Sequence, residues 1–101
     1  RQYGYFCLPL LFRDEFIGRM DCKAHRKISH LEIKSLHFEP HHFEEDLVIA
    51  AFVDAITQFC HFQKCDSVSL TKVHPKHLTQ RLHRALTPQG QYQDQGSAVS
   101  E

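Results

Sequence analysis

Arg19, Asp21 and Lys23 stand two residues apart within the stretch Phe16 to Lys27, with Met20, Cys22 and Ala24 alternating between them. In an extended strand successive side chains point to opposite faces. The alternation therefore places two cations and one anion on one face and three small or apolar groups on the other. The stretch runs on into a basic turn, His25-Arg26-Lys27. A cationic ridge leading to a basic tip suits contact with phosphates, and it is equally the composition of an ordinary solvated sheet face. The candidate phosphate contacts are Arg19, Lys23, Arg26 and Lys27. Asp21 is placed to pair with Arg19 or Lys23 and to fix their geometry.

Other reactive groups form weaker patterns. His37, His41 and His42 fall near one loop, and Cys60, His61 and Cys65 near another. Four ligands drawn from these could form a structural zinc site. The spacings match no standard finger, however, and Cys60 and His61 would have to face the same way as neighbours on a helix. No metal and no cofactor is assigned. Cys7 and Cys22 lie among apolar neighbours, where a free thiol behaves as a small hydrophobe. Gly4, Gly18, Gly90 and Gly96 are too scattered for a phosphate-cradling loop, and no stretch provides a nucleophile with an oriented base. The chain offers no catalytic constellation of its own.

The 101 residues, 42% hydrophobic and 24% charged, fit one small globular domain. No apolar run is long enough to cross a membrane. With no secretory signal in view and no close pair of cysteines, reduced thiols in a cytoplasmic protein are expected. The start, Arg1-Gln2-Tyr3-Gly4-Tyr5, has no initiator Met and begins inside a strand-like pattern, so it reads as a cut within a longer protein. The formal charge of zero hides a segregation. Residues 39–54 carry Glu39, Glu44, Glu45, Asp46 and Asp54 with no Lys or Arg. Residues 64–86 carry Lys64, Lys72, Lys76, Arg81 and Arg84 against Asp66 alone. A zero balance argues against strong independent binding to nucleic acid and leaves room for a local patch.

The elements that must position these groups follow from periodicity. Residues 3–12 are apolar almost throughout, which suggests a strand covered on both faces or a strand with a subunit or domain neighbour; Pro9 puts it at an edge or marks a bulge. After the polar turn Arg13-Asp14-Glu15, a second strand spans about 16–24. A third spans about 28–38, with Leu31 and Ile33 inward and Glu32 and Lys34 outward, completing an antiparallel meander. Glu44-Glu45-Asp46 suits the positive end of a helix dipole. Val48, Ala51, Phe52, Ala55, Ile56 and Phe59 then form a helical stripe that ends at about Phe62. Val68-Ser69-Leu70 reads as a short fourth strand. A second helix over about 75–86 admits Pro75 in its first turn and is stopped by Pro88. Residues 89–101 read as a disordered tail. The expected domain, residues 3–88, is α+β: a small antiparallel sheet in the order β-β-β-α-β-α with two helices on one face. The apolar first strand also predicts a dimer of the chain through residues 3–12, by edge pairing or apolar packing.

Tyr3-Gly4-Tyr5, Leu8-Pro9-Leu10-Leu11, the run Ile17-Gly18-Arg19-Met20-Asp21-Cys22-Lys23-Ala24-His25-Arg26-Lys27, Leu31-Glu32-Ile33 and Glu39-Pro40 together resemble the C-terminal region of the YcaQ-like winged-helix DNA glycosylases, which repair interstrand crosslinks. The resemblance is close over about residues 3–40. Beyond that only the helix-strand-helix order agrees. His25 stands where the family often has Asp, and Met20 and Cys22 replace aliphatic residues; Arg19, Asp21, Lys23, Arg26 and Lys27 match. The resemblance implies a parent enzyme that hydrolyses the N-glycosidic bond of alkylated or crosslinked purines without a metal, using a short glutamine motif in upstream winged-helix domains. This region would then be a C-terminal scaffold in contact with double-stranded DNA. Gln91-Tyr92-Gln93 fits the glutamine motif by letter but falls in the glutamine-rich tail, so no catalytic residue is assigned. The alternative is a non-enzymatic interaction domain of a winged-helix DNA-binding regulator.

Overall fold

A computed structural model describes residues 4–87 and the backbone of Tyr92 and Gln93. Five strands, β1 (Tyr5–Phe12), β2 (Glu15–His25), β3 (His30–Phe38), β4 (Ser67–His74) and β5 (Tyr92–Gln93), lie in the order β1-β2-β3-β4-β5. Two α-helices, α1 (Glu45–Phe62) and α2 (Thr79–Leu86), accompany them among the described residues. The α+β class, the three-strand meander and the two-helix layout are as the periodicity predicts. Among the described residues no helix is long and apolar enough to cross a membrane.

The sheet is not wholly antiparallel. β1, β2 and β3 pair antiparallel, but β4 pairs parallel with β3, from His30 opposite Ser67 to His37 opposite His74. The reason is connectivity: α1 carries the chain back across the sheet, and such a return delivers the next strand in the same direction. β4 is also longer than Val68-Ser69-Leu70. Exposed Thr71 and Lys72 interrupt the apolar pattern without ending the ladder. Tyr92 and Gln93 pair with Val68 and Ser69, so at those two residues the expected tail is a strand. Residues 88–91 and 94–101 lie outside the described residues, as does Tyr3.

Period two decides which side of the meander is buried. Ile17, Met20, Cys22 and Ala24 of β2, Leu31, Ile33, Leu36 and Phe38 of β3, and Val68, Leu70 and Val73 of β4 join one core. Both helices pack on it. α2 contributes Leu82 and Leu86, and a 3-10 turn before it, Lys76–Leu78, contributes Leu78. Pro75 precedes that turn instead of opening the helix. On α1 the buried residues are Val48, Ile49, Phe52, Val53, Ile56 and Cys60. The stripe is therefore rotated from the expected one: Ala51 and Ala55 are exposed. This helix is apolar on more than one side, and the face that buries more area per residue wins.

Two backbone details position the rest. Gly18 lies where β2 meets β3, and a Cβ there would stand 2.2 Å from the His37 carbonyl oxygen. At the end of α1, Lys64 adopts φ 60°. The Lys64 N–H donates to the His61 carbonyl, and the Cys65 N–H to the Cys60 carbonyl at 2.8 Å. This is a Schellman cap with lysine where glycine is usual.

Candidate nucleic-acid interface

The sheet face opposite the helices bears the predicted site. Cross-strand partners share a face, and the register aligns Pro9, Arg19 and His37, then Cys7, Asp21 and Ser35, then Tyr5, Lys23 and Glu32. Arg19, Asp21 and Lys23 therefore do point together, away from the core. A register shift between Asp21 and Cys22 leaves Lys34 unmatched against β2, so Lys34 and Ser35 both escape the core. The same irregularity carries into β4, where Thr71 and Lys72 are both exposed. Lys34 and Lys72 thus join Arg19 and Lys23 on this face.

Arg19 and Lys34 have anion partners within the same face. Arg19 Nη1 donates to Glu39 Oε2 at 3.1 Å, so its partner is Glu39 and not Asp21. Asp21 instead accepts from the Cys7 thiol, whose pKa it raises. Lys34 Nζ lies 3.7 Å from Glu32 Oε1, and Lys23 stands opposite Glu32 in the ladder. Exposed pairs of this kind contribute little to stability and exchange partners readily. A phosphate could replace Glu39 at Arg19 at small cost.

The basic tip is split. Arg26 and Lys27 lie in a 3-10 turn, Arg26–Ile28, between β2 and β3. Arg26 Nη2 donates to Gln63 Oε1 at 2.9 Å, toward the end of α1. Lys27 is exposed. The structure thus gathers Arg19 and Lys23 on the face and sets Arg26 and Lys27 at one end of it.

Histidines fill the remaining outward positions. His25 Nε2 donates to Glu32 Oε1 at 2.8 Å, which with Lys34 holds the Glu32 carboxyl below its ordinary value. His30 bridges the parallel pair: Nδ1 is 2.6 Å from Ser67 Oγ and Nε2 is 2.9 Å from Ser69 Oγ. Burial, and to a lesser degree His25, lowers the His30 pKa, so the ring is neutral and accepts from one serine while donating to the other. His37 and His74 stack at 4.5 Å, 5° from parallel, and His37 Nε2 lies 3.4 Å from Glu39 Oε2. Lys34 was legible as outward from alternation. Lys72, His74, Ser67 and Ser69 were not, because they enter this face through a parallel neighbour that no local pattern announces.

The zinc reading fails on geometry. Cys60 is fully buried while His61 is exposed, so the two neighbours face opposite ways. Cys60 and Cys65 owe their spacing to the helix cap, in which they occupy the two hydrogen-bonded ends. Burial pushes the Cys22 thiol up to about 12 and Cys60 up to about 11, which keeps both protonated and poor as ligands or nucleophiles. Among the described residues no group of three or more His, Cys, Asp or Glu is arranged to hold a metal ion. No protein-family model and no solved structure matches the chain.

Proposed function

We propose that this chain is the DNA-contacting scaffold domain of a DNA-repair glycosylase, working in the cytoplasm beside winged-helix domains that carry the catalytic glutamine motif. The observation that carries the reading is the sheet face opposite the helices, on which Arg19, Lys23, Lys34 and Lys72 lie together, with Arg26 and Lys27 at its end. Its close resemblance over residues 3–40 to the YcaQ-like glycosylases supplies the enzyme class. In the parent, water would add at C1′ of the damaged nucleotide as the N-glycosidic bond breaks. This domain would hold the backbone and touch no reacting atom.

The interleaved anions set the strength. A phosphate contact at Arg19 or Lys34 displaces a carboxylate partner, so binding by this domain is weak and, resting on phosphates, independent of sequence. Fluorescence anisotropy of a labelled duplex across a salt series tests this on the chain itself. Binding should be measurable at low salt and fade steeply as salt rises. Arg19→Ala with Lys23→Ala should weaken binding to all sequences alike and lower the salt slope by about one unit per lost contact. A salt slope unchanged by the double variant, with an unchanged melting curve, would sink the proposal.

One observation favours the alternative, a docking domain of a winged-helix regulator. Leu11 and Phe16 face each other across the β1–β2 hairpin and remain 65% and 55% exposed. Under that reading Leu11→Ser would abolish association with a neighbouring domain and leave DNA affinity untouched.

A further inference from the structure

The core is open along one side. The apolar inward side chains of β2 and β3 are at most 4% exposed. Phe6, Leu8, Leu10 and Phe12 of β1 face the same core and stay only half-buried. β1 ends the sheet, and among the described residues no strand pairs beyond it. It is eight residues long without a charged side chain, although edge strands are ordinarily protected by charge or by brevity.

The register fixes which backbone groups this edge leaves open. The Ala24 N–H donates to the Gly4 carbonyl at 2.8 Å. Along an antiparallel strand, successive residues turn their N–H and C=O groups to opposite sides. Phe6, Leu8 and Leu10 therefore bond to β2, and Tyr5, Cys7, Pro9 and Leu11 turn to the open edge. Pro9 lies where its missing N–H interrupts no ladder to β2.

α1 stands over the same edge. Phe59 meets Phe6 edge-on with ring centroids 5.5 Å apart, and Ala51 and Ala55 line a recess of about 60 Å³ together with Leu10 and Phe12. The other flank of α1 meets α2 through Asp46 and Arg81. The flank toward β1 carries Leu47, Ala51, Ala55, Gln58 and Phe62, all exposed and none charged.

We infer that a second copy of this chain closes this side, by antiparallel pairing of β1 with its own counterpart about a two-fold axis at Leu8. Within Tyr5–Phe12 that centre keeps the most backbone bonds. Each Tyr5 exchanges two with Leu11 of the other copy, and each Cys7 N–H reaches a Pro9 carbonyl. The axis is perpendicular to the sheet, so both α1 helices lie on one side of the joined sheet and their uncharged flanks meet. One self-complementary contact thus closes two openings, a strand edge and a helix flank. A strand from another source would close the edge alone. β1 and α1 each run about 27 Å, and a sheet with a helix on it is about 20 Å deep, so the side covers about 500 Å² per copy. That reaches the roughly 1,000 Å² in total that a specific interface needs. The contact uses no cation of the outer face and is independent of the DNA-contacting reading.

Sedimentation of the whole chain without DNA, across a concentration series, tests the inference. The dimer fraction and the melting temperature should both rise with concentration. Ala51→Glu with Ala55→Glu sets like charges against each other across the axis and should raise the dimer dissociation constant about a hundredfold. Ala50→Glu, on the exposed crest of the same helix, should leave it unchanged. In Cys7→Ser protein, Leu8→Cys should form a disulfide-linked dimer on mild oxidation, since directly opposed residues there stand about 4.5 Å apart. Leu10→Cys should not, because its two copies lie about 14 Å apart. Circular dichroism shows which variants are folded, and the two cysteine variants decide the matter if the glutamate variant is not. A folded wild-type chain that stays monomeric at every concentration overturns the inference. So does a dimer that Leu8→Cys fails to link, or one indifferent to folded Ala51→Glu with Ala55→Glu.

Discussion

The two faces of one sheet differ in almost every respect except their backbone. The inner face buries Leu31, Ile33, Leu36 and Leu70 to 1% exposure or less under two helices. The outer face carries Arg19, Lys23, Lys34, Lys72 and four histidines against Asp21, Glu32 and Glu39. Inside, free energy comes from area removed from water and is lost when a side chain is cut. Outside, charges pair with neighbours that are themselves solvated, so the face can change partners without unfolding the protein. A buried core and an exchangeable polar surface are thereby separated by a period of two in the same three strands.

The comparison breaks most sharply at its buried side. Leu31→Ala should cost about 3 kcal/mol by the transfer and cavity terms, and Gly18→Ala a similar amount, because its new Cβ has backbone and no flexible side chain to displace. Lys34→Ala and Lys72→Ala should each change stability by less than about 0.5 kcal/mol. Urea unfolding of the four variants checks this; a core-sized loss at Lys34 would mean that the outer face is structural.

Ser69 is the exception that sharpens the contrast, being fully buried yet on the polar side. Ser69→Ala should cost about 1–2 kcal/mol, since it removes a partner of half-buried His30. The same site gives the outer face a pH dependence. Folding favours neutral His30, whose pKa is lowered by burial and by His25 and partly restored by Glu32. Stability from this group is therefore present above 6.5, the ordinary imidazole value, and declines as pH falls below it. His30→Gln should flatten the melting temperature between pH 7 and pH 5.5 relative to wild type. An unchanged slope would assign the dependence elsewhere.

Arg19→Ala with Lys23→Ala should shift stability by less than about 1 kcal/mol, in keeping with exposed pairs, while altering DNA binding. At the helix cap the expected effect has the opposite sign. Lys64→Gly should stabilise by about 0.5–1 kcal/mol, because φ 60° costs lysine more than glycine. Thermal melts should register it as an increase. A decrease would mean that the lysine side chain contributes more than its backbone loses.

What the sequence disclosed tracks how local the cause is. The alternation at Met20-Asp21-Cys22 and the acidic start of α1 are local signals, and the meander and helix stand within a residue or two of expectation. The pairing of β4 with β3 joins residues far apart in the chain, and so the parallel register, the histidine stack and Lys72 were hidden. The Arg19 partner was misassigned for a similar reason. Asp21 is two residues away on the same strand, but Glu39 comes alongside only when β3 has folded back on β2, with its N–H bonded to the Ile17 carbonyl at 2.9 Å. Gly18 looked like one of four scattered glycines until its approach to His37 was on view.

The parallel ladder between β3 and β4 also orders events in time. The β1–β2 and β2–β3 hairpins close over short loops, whereas His30 must find Ser67 at a sequence separation of 37. Loop closure of that kind is charged before its contacts repay it. The meander and α1 are thus expected to assemble first, with β4 arriving late and locking against Ser29, whose carbonyl receives the Asp66 N–H at 2.6 Å. Substitutions at Val68 or Leu70 should accordingly speed unfolding far more than they slow folding, while those at Met20 or Leu31 should act on the folding rate.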